Sequence, residues 1–181
     1  PLTAVLTISA TFFYVIVYTM WLKRNTSHNI VIGGAAGAIP PVVGWIAVTG
    51  QLDLPALYLF AIVFFWTPPH FWALSLLIKD DYVRAGIPML PVVVSLRQTK
   101  VSILLYTLLL VAISIMFFTT KAVGLTYLAG SSSLGLIFVY YAWRLFRNTG
   151  VRGARSMYLY SLLYISLLFV VVMTDSIVAG V

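Results

Sequence analysis

Long apolar stretches separated by short charged breaks set the organisation of this chain. Six segments run at least 18 residues without Asp, Glu, Lys or Arg: Leu2–Leu22, Asn25–Leu52, Leu54–Ile78, Val101–Thr120, Ala122–Trp143 and Ser156–Thr174. A hydrocarbon core of about 30 Å needs roughly 20 apolar residues in helical form. Each segment therefore predicts one membrane-spanning helix. The expected fold is an all-α polytopic transmembrane helical bundle, forming a single integral membrane domain over residues 1–181.

Composition narrows the picture further. The chain is 62% hydrophobic and 8% charged, against about 25% charged residues in soluble domains, so little polar surface remains to clothe a large soluble core. Cysteine is absent, which removes a disulfide framework and any thiolate ligand. The chain starts at Pro1 with no charged segment ahead of its first span, so no signal peptide is read. The expectation is a fragment with sequence missing upstream.

Charge gives the orientation. One set of alternating connections holds Lys23, Arg24, Lys79, Arg84, Arg97, Lys100, Arg144, Arg147, Arg152 and Arg155, while the other holds only Lys121. The positive-inside bias predicts that the first set is cytoplasmic. The net charge of +7 is then a topology signal. Nucleic acid is not an expected partner, because the basic residues are divided among short loops; the expected partner surface is the lipid bilayer.

Two adjacent acids stand out. Asp80 and Asp81 are half of the four acidic residues, and no glutamate is present. Acid at a membrane boundary is costly to keep without a role. They open the one long connection, residues 79–100, which is too apolar for disorder and predicts a short amphipathic cap over the cytoplasmic mouth. Around them gather Tyr18, Lys23, Arg24 and Asn29 at one turn, and Lys79, Tyr82 and Arg84 at the next. Carboxylates beside Lys and Arg suit Mg²⁺ with a polyphosphate. The alternative for Lys23, Arg24 and Lys79 is simple anchoring at the headgroups.

Two spans contain helix breakers. The second carries Gly33, Gly34, Gly37, Pro40, Pro41 and Gly44; Gly33 and Gly37 suit close helix contact, and the tandem prolines predict a bend. The third reads Trp66-Thr67-Pro68-Pro69-His70-Phe71-Trp72. At 100° per residue, Trp66, His70, Leu77 and Asp81 share one face of a continuous helix, with His70 and Asp81 roughly 16 Å apart along it. The later tyrosines, Tyr106 to Tyr164, are expected to serve a scaffold, several at interfacial depth.

The literal strings go further. Tyr18-Thr19-Met20-Trp21-Leu22-Lys23-Arg24, the run Asn29 to Trp45, Trp66 to Leu74, and Asp81 to Pro91 strongly resemble the heme O synthase branch (protoheme IX farnesyltransferases) of the UbiA-type intramembrane prenyltransferases. The matching strings cover most of residues 14–92. The resemblance implies a nine-helix bundle, of which this chain would be helices four to nine, in the bacterial inner (plasma) membrane. It implies transfer of a farnesyl group from farnesyl diphosphate, held through Mg²⁺, to a vinyl group of heme B, with water completing heme O. Heme A synthase would act downstream.

Carried onto these residues, Asp80 and Asp81 would be metal–diphosphate ligands. Asp81, Lys23 and Arg24 would be catalytic. Tyr18, Asn29, Trp45, Trp66, His70, Lys79, Tyr82 and Arg84 would bind substrate, with His70 toward heme and Trp45 and Trp66 as cavity walls. Two departures matter. Ala85 stands where many UbiA-type enzymes place a second Asp, and the absence of that Asp agrees with the heme O branch. The family's first Asp-rich motif is not in this sequence, so the segment alone is expected to be inactive. Two other readings are a UbiA-type enzyme acting on 4-hydroxybenzoate or a related aromatic acceptor, and a transporter-like membrane protein with broken helices.

Overall fold

A computed structural model describes residues 2–179. Among the described residues every regular element is helical, and six helices are long and apolar enough to cross a membrane. The first span joins α1 (Leu2–Phe12), a π-helical stretch (Phe13–Leu22) and α2 (Lys23–Asn25). The second is divided into α3 (Asn29–Gly37) and α4 (Ile39–Thr49). The third is α5 (Leu54–Leu77), followed by the short α6 (Lys79–Arg84) and α7 (Leu90–Val93). Then come α8 (Leu96–Met116) with a 3₁₀ turn (Phe117–Thr120), α9 (Leu125–Arg147) and α10 (Ala154–Ala179).

Helices α5, α8, α9 and α10 pack together as the core. Ile62, Ile103, Leu110, Phe138, Leu145, Met157 and Leu168 are buried between them. Small residues set the spacing: a Cβ on Gly135 would lie 2.7 Å from Val111 Cγ1, so α8 and α9 approach closely there. The first two spans form a wing, in which α1 packs on α4, the π-helical stretch on α3, and both α3 and α4 on α5.

Some expectations hold at this level and others change. Tyr127, Tyr160 and Tyr164 are buried among the core helices, in keeping with the scaffold role expected of them. Tyr164 Oη and Ser114 Oγ are 2.8 Å apart, and Tyr127 Oη donates to the Ser114 carbonyl at 2.8 Å. Buried phenols take partners of this kind because an unpaired hydroxyl in an apolar interior is costly. The two proline pairs also behave differently. The second span breaks at Ala38, and Pro40 falls in the first turn of α4, where a missing N–H costs little. Pro68 and Pro69 lie inside an uninterrupted α5.

Two of the four acids are accounted for by helix ends. Asp53 caps α5, accepting from Ala56 N at 3.3 Å. Asp175, buried on α10, accepts from Gly124 N and from Tyr127 N at 2.5 and 3.0 Å, pinning the start of α9. Asp175→Ala leaves the part-buried Gly124 N–H and the buried Tyr127 N–H unpaired and is expected to destabilise the protein by about 1–3 kcal/mol. The partly exposed cap Asp53→Ala should cost only about 1 kcal/mol. Thermal unfolding midpoints of the two variants in detergent check this ranking.

The basic connections meet at one end of the bundle. Lys100 Nζ donates to the Asn148 carbonyl at 2.7 Å, joining the start of α8 to the α9–α10 connection. Residues expected to form one long loop are partly helical: α8 begins at Leu96, capped by Ser95 and Gln98, so Arg97 and Lys100 belong to its first turns. Likewise Lys23 and Arg24 continue the first span as α2, and the turn itself is Thr26–His28.

Candidate active site

A cavity of about 870 Å³ lies between the wing and α5, with α6 and the segment before α7 at the basic end. Its walls are apolar over most of their extent, including Ala10, Ile39, Val43, Val63 and Phe71. Polar groups reach it at the basic end through Tyr18, Lys23 and Tyr82. On α5 the wall runs from Val63 to Phe71, roughly 12 Å of helix at 1.5 Å per residue. A long apolar chamber with a cation and two phenols at one end suits an amphiphile with an anionic head and a hydrocarbon tail.

Local geometry explains the wall formed by the first span. Tyr14 and Tyr18, an i, i+4 pair on the π-helical stretch, lie together with ring centroids 5.3 Å apart, and both face the cavity. π-helical turns within α-helices recur at functional sites. Gly33 allows the Tyr18 ring to lie against α3, since a Cβ there would sit 2.3 Å from Tyr18 Cδ2. The close α3–α5 approach is made by Gly34 against Thr67, whereas a Cβ on Gly37 would meet nothing within 4 Å. Gly37 therefore makes none of the tight helix contact expected of it and lines the cavity instead. Gly33→Ala is expected to push Tyr18 out of place and weaken binding of an anionic amphiphile in the cavity about tenfold. Gly37→Ala should have a smaller effect in the same binding assay.

The profile of the UbiA prenyltransferase family matches residues 1–173. The chain belongs to that family. It is 52% identical over 174 residues to the protoheme IX farnesyltransferase of Roseiflexus castenholzii, covering 96% of this chain and 32% of that protein. It is 50% identical over 175 residues to the protoheme IX farnesyltransferase of Nitrosospira multiformis, covering 97% and 59%. For the protein of that name from Thioalkalivibrio sulfidiphilus the identity is 48%, with 96% and 58% covered. The chain thus spans between a third and three fifths of these curated relatives. No solved structure matches it significantly.

Within this UbiA-family site, the residues singled out from sequence separate into groups. Tyr18, Lys23, Trp66 and Tyr82 line the cavity. Asp80, Asp81 and Arg84 are exposed on α6, next to Tyr82, and Arg84 pairs with Asp81, the one ion pair among the described residues. Arg24 is exposed and outside the cavity lining. Lys79 lines a separate space of about 210 Å³ with Leu76, Pro91, Leu96 and Val151. Asn29 is fully buried and donates to the Lys23 carbonyl at 3.2 Å, tying α3 to the end of the first span.

Trp45 lies away from the lining, packed beside Val42, Ile46 and Ala56. The face predicted to run from His70 to Asp81 does not exist as one helix, because α5 ends at Leu77 and Ile78 leaves helical geometry at φ −117°, ψ 33°. His70 is turned toward α10, where its Nδ1 lies 2.7 Å from Ser161 Oγ. Trp66 donates through Nε1 to the Ser161 carbonyl at 2.7 Å. Sequence reasoning missed Tyr14 and Ser161. The i, i+4 pairing of Tyr14 with Tyr18 could have revealed the first, but nothing in the leucine-rich context of Ser161 marks it.

The donor set gives a direct test for a divalent cation. Among the described residues no three acidic or histidine side chains converge, so a closed protein-only cage does not fit. The two exposed carboxylates on α6, Asp80 and Asp81, lie outside the cavity lining but next to Tyr82, which is part of it; such a pair fits Mg²⁺, which takes one or two carboxylates and fills its shell with water and phosphate oxygens.

Proposed function

We propose that the protein to which this chain belongs transfers a farnesyl group from farnesyl diphosphate to a vinyl group of heme B, yielding heme O. The observation that carries this is the placement of Lys23, Tyr18 and Tyr82 at one end of an otherwise apolar cavity, in a chain about half identical to proteins named protoheme IX farnesyltransferase. That end of the bundle is taken as cytoplasmic from its excess of basic residues, in a bacterial inner membrane.

Lys23 and the Tyr82 hydroxyl would hold the diphosphate, with Arg24, Lys79 and Arg84 adding positive potential around the opening. Asp81, assisted by Asp80, would hold Mg²⁺, whose charge neutralises the diphosphate when bound. The allylic C–O bond breaks with its electron pair leaving on the diphosphate, a change that Lys23 stabilises. The apolar wall, including Trp66 and Phe71, would exclude water from the allylic cation, and Trp66 and Tyr14 add aromatic surface beside it. The vinyl carbon then supplies the electrons of the new C–C bond. Water adds at the neighbouring carbon and releases its proton, giving the hydroxyalkyl group.

The test is a product assay of the intact protein in membranes with farnesyl diphosphate and either heme B or 4-hydroxybenzoate. Heme O formation with no prenylated benzoate is the expected result. Prenylation of the benzoate alone would overturn the assignment.

A further inference from the structure

Three aromatic rings are tied together between α5 and α10. The Trp66 indole stacks on the His70 imidazole with centroids 4.3 Å apart and planes 19° apart, and Tyr158 stacks on His70 at 5.0 Å. Ser161 on α10, itself fully buried, holds two members of the group. Its carbonyl accepts from Trp66 Nε1 at 2.7 Å. Its hydroxyl donates to the Tyr158 carbonyl at 2.6 Å and lies 2.7 Å from His70 Nδ1. With its single proton committed to that carbonyl, Ser161 Oγ accepts from the imidazole N–H.

Burial alone does not demand the indole tie. Trp45 Nε1 and Trp72 Nε1 are enclosed without a hydrogen-bond partner, and neither ring lines the large cavity. Trp66 does line it, and of these three indoles it is the one whose N–H is paired. The tie also falls where α5 has least support of its own. Pro68 and Pro69 stand between Trp66 and His70 inside the helix, and each lacks the N–H that would bond four residues back. Bonds to α10 support that turn from the side. An aliphatic side chain in place of His70 would fill the space at lower desolvation cost. What the imidazole and the hydroxyl add is direction, which fixes the plane of the indole.

We propose that Ser161 and His70 are positioning residues that hold the Trp66 indole as a fixed section of the cavity wall, and so decide whether the allylic cation is captured by the acceptor or by water. In capture by water, an oxygen lone pair forms a C–O bond to the cation and a proton leaves, giving the free prenyl alcohol after the diphosphate has departed. A wall ring free to swing admits that water; a pinned one excludes it. This inference rests on the prenyl-transfer reading, and it adds two residues that lie outside the cavity lining yet set its selectivity.

The experiment uses the intact protein in detergent micelles with farnesyl diphosphate and heme B. Chromatography reads the ratio of farnesol to prenylated heme, a partition that a loss of folded protein alone would not move. Ser161→Ala and His70→Leu are each expected to raise the farnesol share about three- to tenfold, the range that one lost buried hydrogen bond spans. Ser161→Thr, which keeps the hydroxyl, should hold the wild-type ratio. Trp66→Phe should raise the share too, and Ser161→Ala added to it should change little further, because both act through one ring. ¹⁵N-tryptophan NMR of the ligand-free wild type, with the Trp66 signal assigned by its loss in Trp66→Phe, should show an indole N–H that exchanges slowly with water. Rapid exchange of that proton would overturn the tie. An unchanged ratio in Ser161→Ala and His70→Leu, or an equal rise with and without Trp66, would overturn the positioning role while leaving prenyl transfer in place. A wild type that makes farnesol and no prenylated heme would overturn the prenyl-transfer reading itself.

Discussion

Lys23→Met in the intact protein is expected to lower kcat/KM for the prenyl diphosphate by about 10²–10³-fold, the usual loss when one group stabilising developing negative charge is removed. Lys23 sits in the last turn of the first span, half-buried, where its side chain reaches the cavity. Its backbone is fixed by Asn29, which accepts none of the charge but donates to the Lys23 carbonyl. In that low-dielectric setting a single ammonium interacts with a diphosphate far more strongly than an exposed one would. The neighbouring Arg24 is exposed and away from the lining. Arg24→Met should therefore cost less than tenfold by the same reasoning, and that cost should fade as salt is raised. Steady-state kinetics at two ionic strengths separate the pair. Equal losses for both variants would contradict the assignment of the diphosphate to the cavity end.

Asp81→Asn is expected to lower turnover by about 10²-fold or more and to shift half-saturation by Mg²⁺ upward, with little change in unfolding midpoint. The stability half of this follows from the ion pair. Asp81 and Arg84 are both largely exposed, with side-chain exposures of 59% and 75%, and such pairs contribute about 0–1 kcal/mol. The catalytic half follows from the fate of the other acids: Asp53 and Asp175 are occupied as helix-end acceptors, which leaves Asp80, and Asp81 in its exposed pair with Arg84, as the acids of this chain within reach of a cation. Asp80→Asn should be milder if Asp81 is the principal ligand. A large midpoint drop in Asp81→Asn would instead mark it as a structural residue.

The six spans were legible because lipid imposes a length and a polarity that composition records directly. The same pattern located the acidic pair and the basic end. What it could not reveal depends on helix winding and on packing between distant segments. A continuous helix from His70 to Asp81 was a fair reading of periodicity, yet α5 stops at Leu77, and the carboxylates sit on a separate short helix. Trp45 and Trp66 look alike in sequence, but only Trp66 reaches the cavity, and its indole is tied to a carbonyl 95 residues away. That Tyr127 and Tyr164 both meet Ser114 is likewise invisible in their spacing along the chain. The π-helical winding of Phe13–Leu22 leaves no trace in hydropathy.

The most direct test of the account is photo-crosslinking with a prenyl diphosphate whose tail carries a benzophenone, mapped by peptide mass spectrometry on the intact protein. The cavity predicts label on deep wall residues such as Ala10, Val43 and Val63, with labelling suppressed by excess farnesyl diphosphate and weakened in Lys23→Met. Label confined to outward-facing positions such as Leu105 or Leu136, unaffected by the competitor, would contradict it.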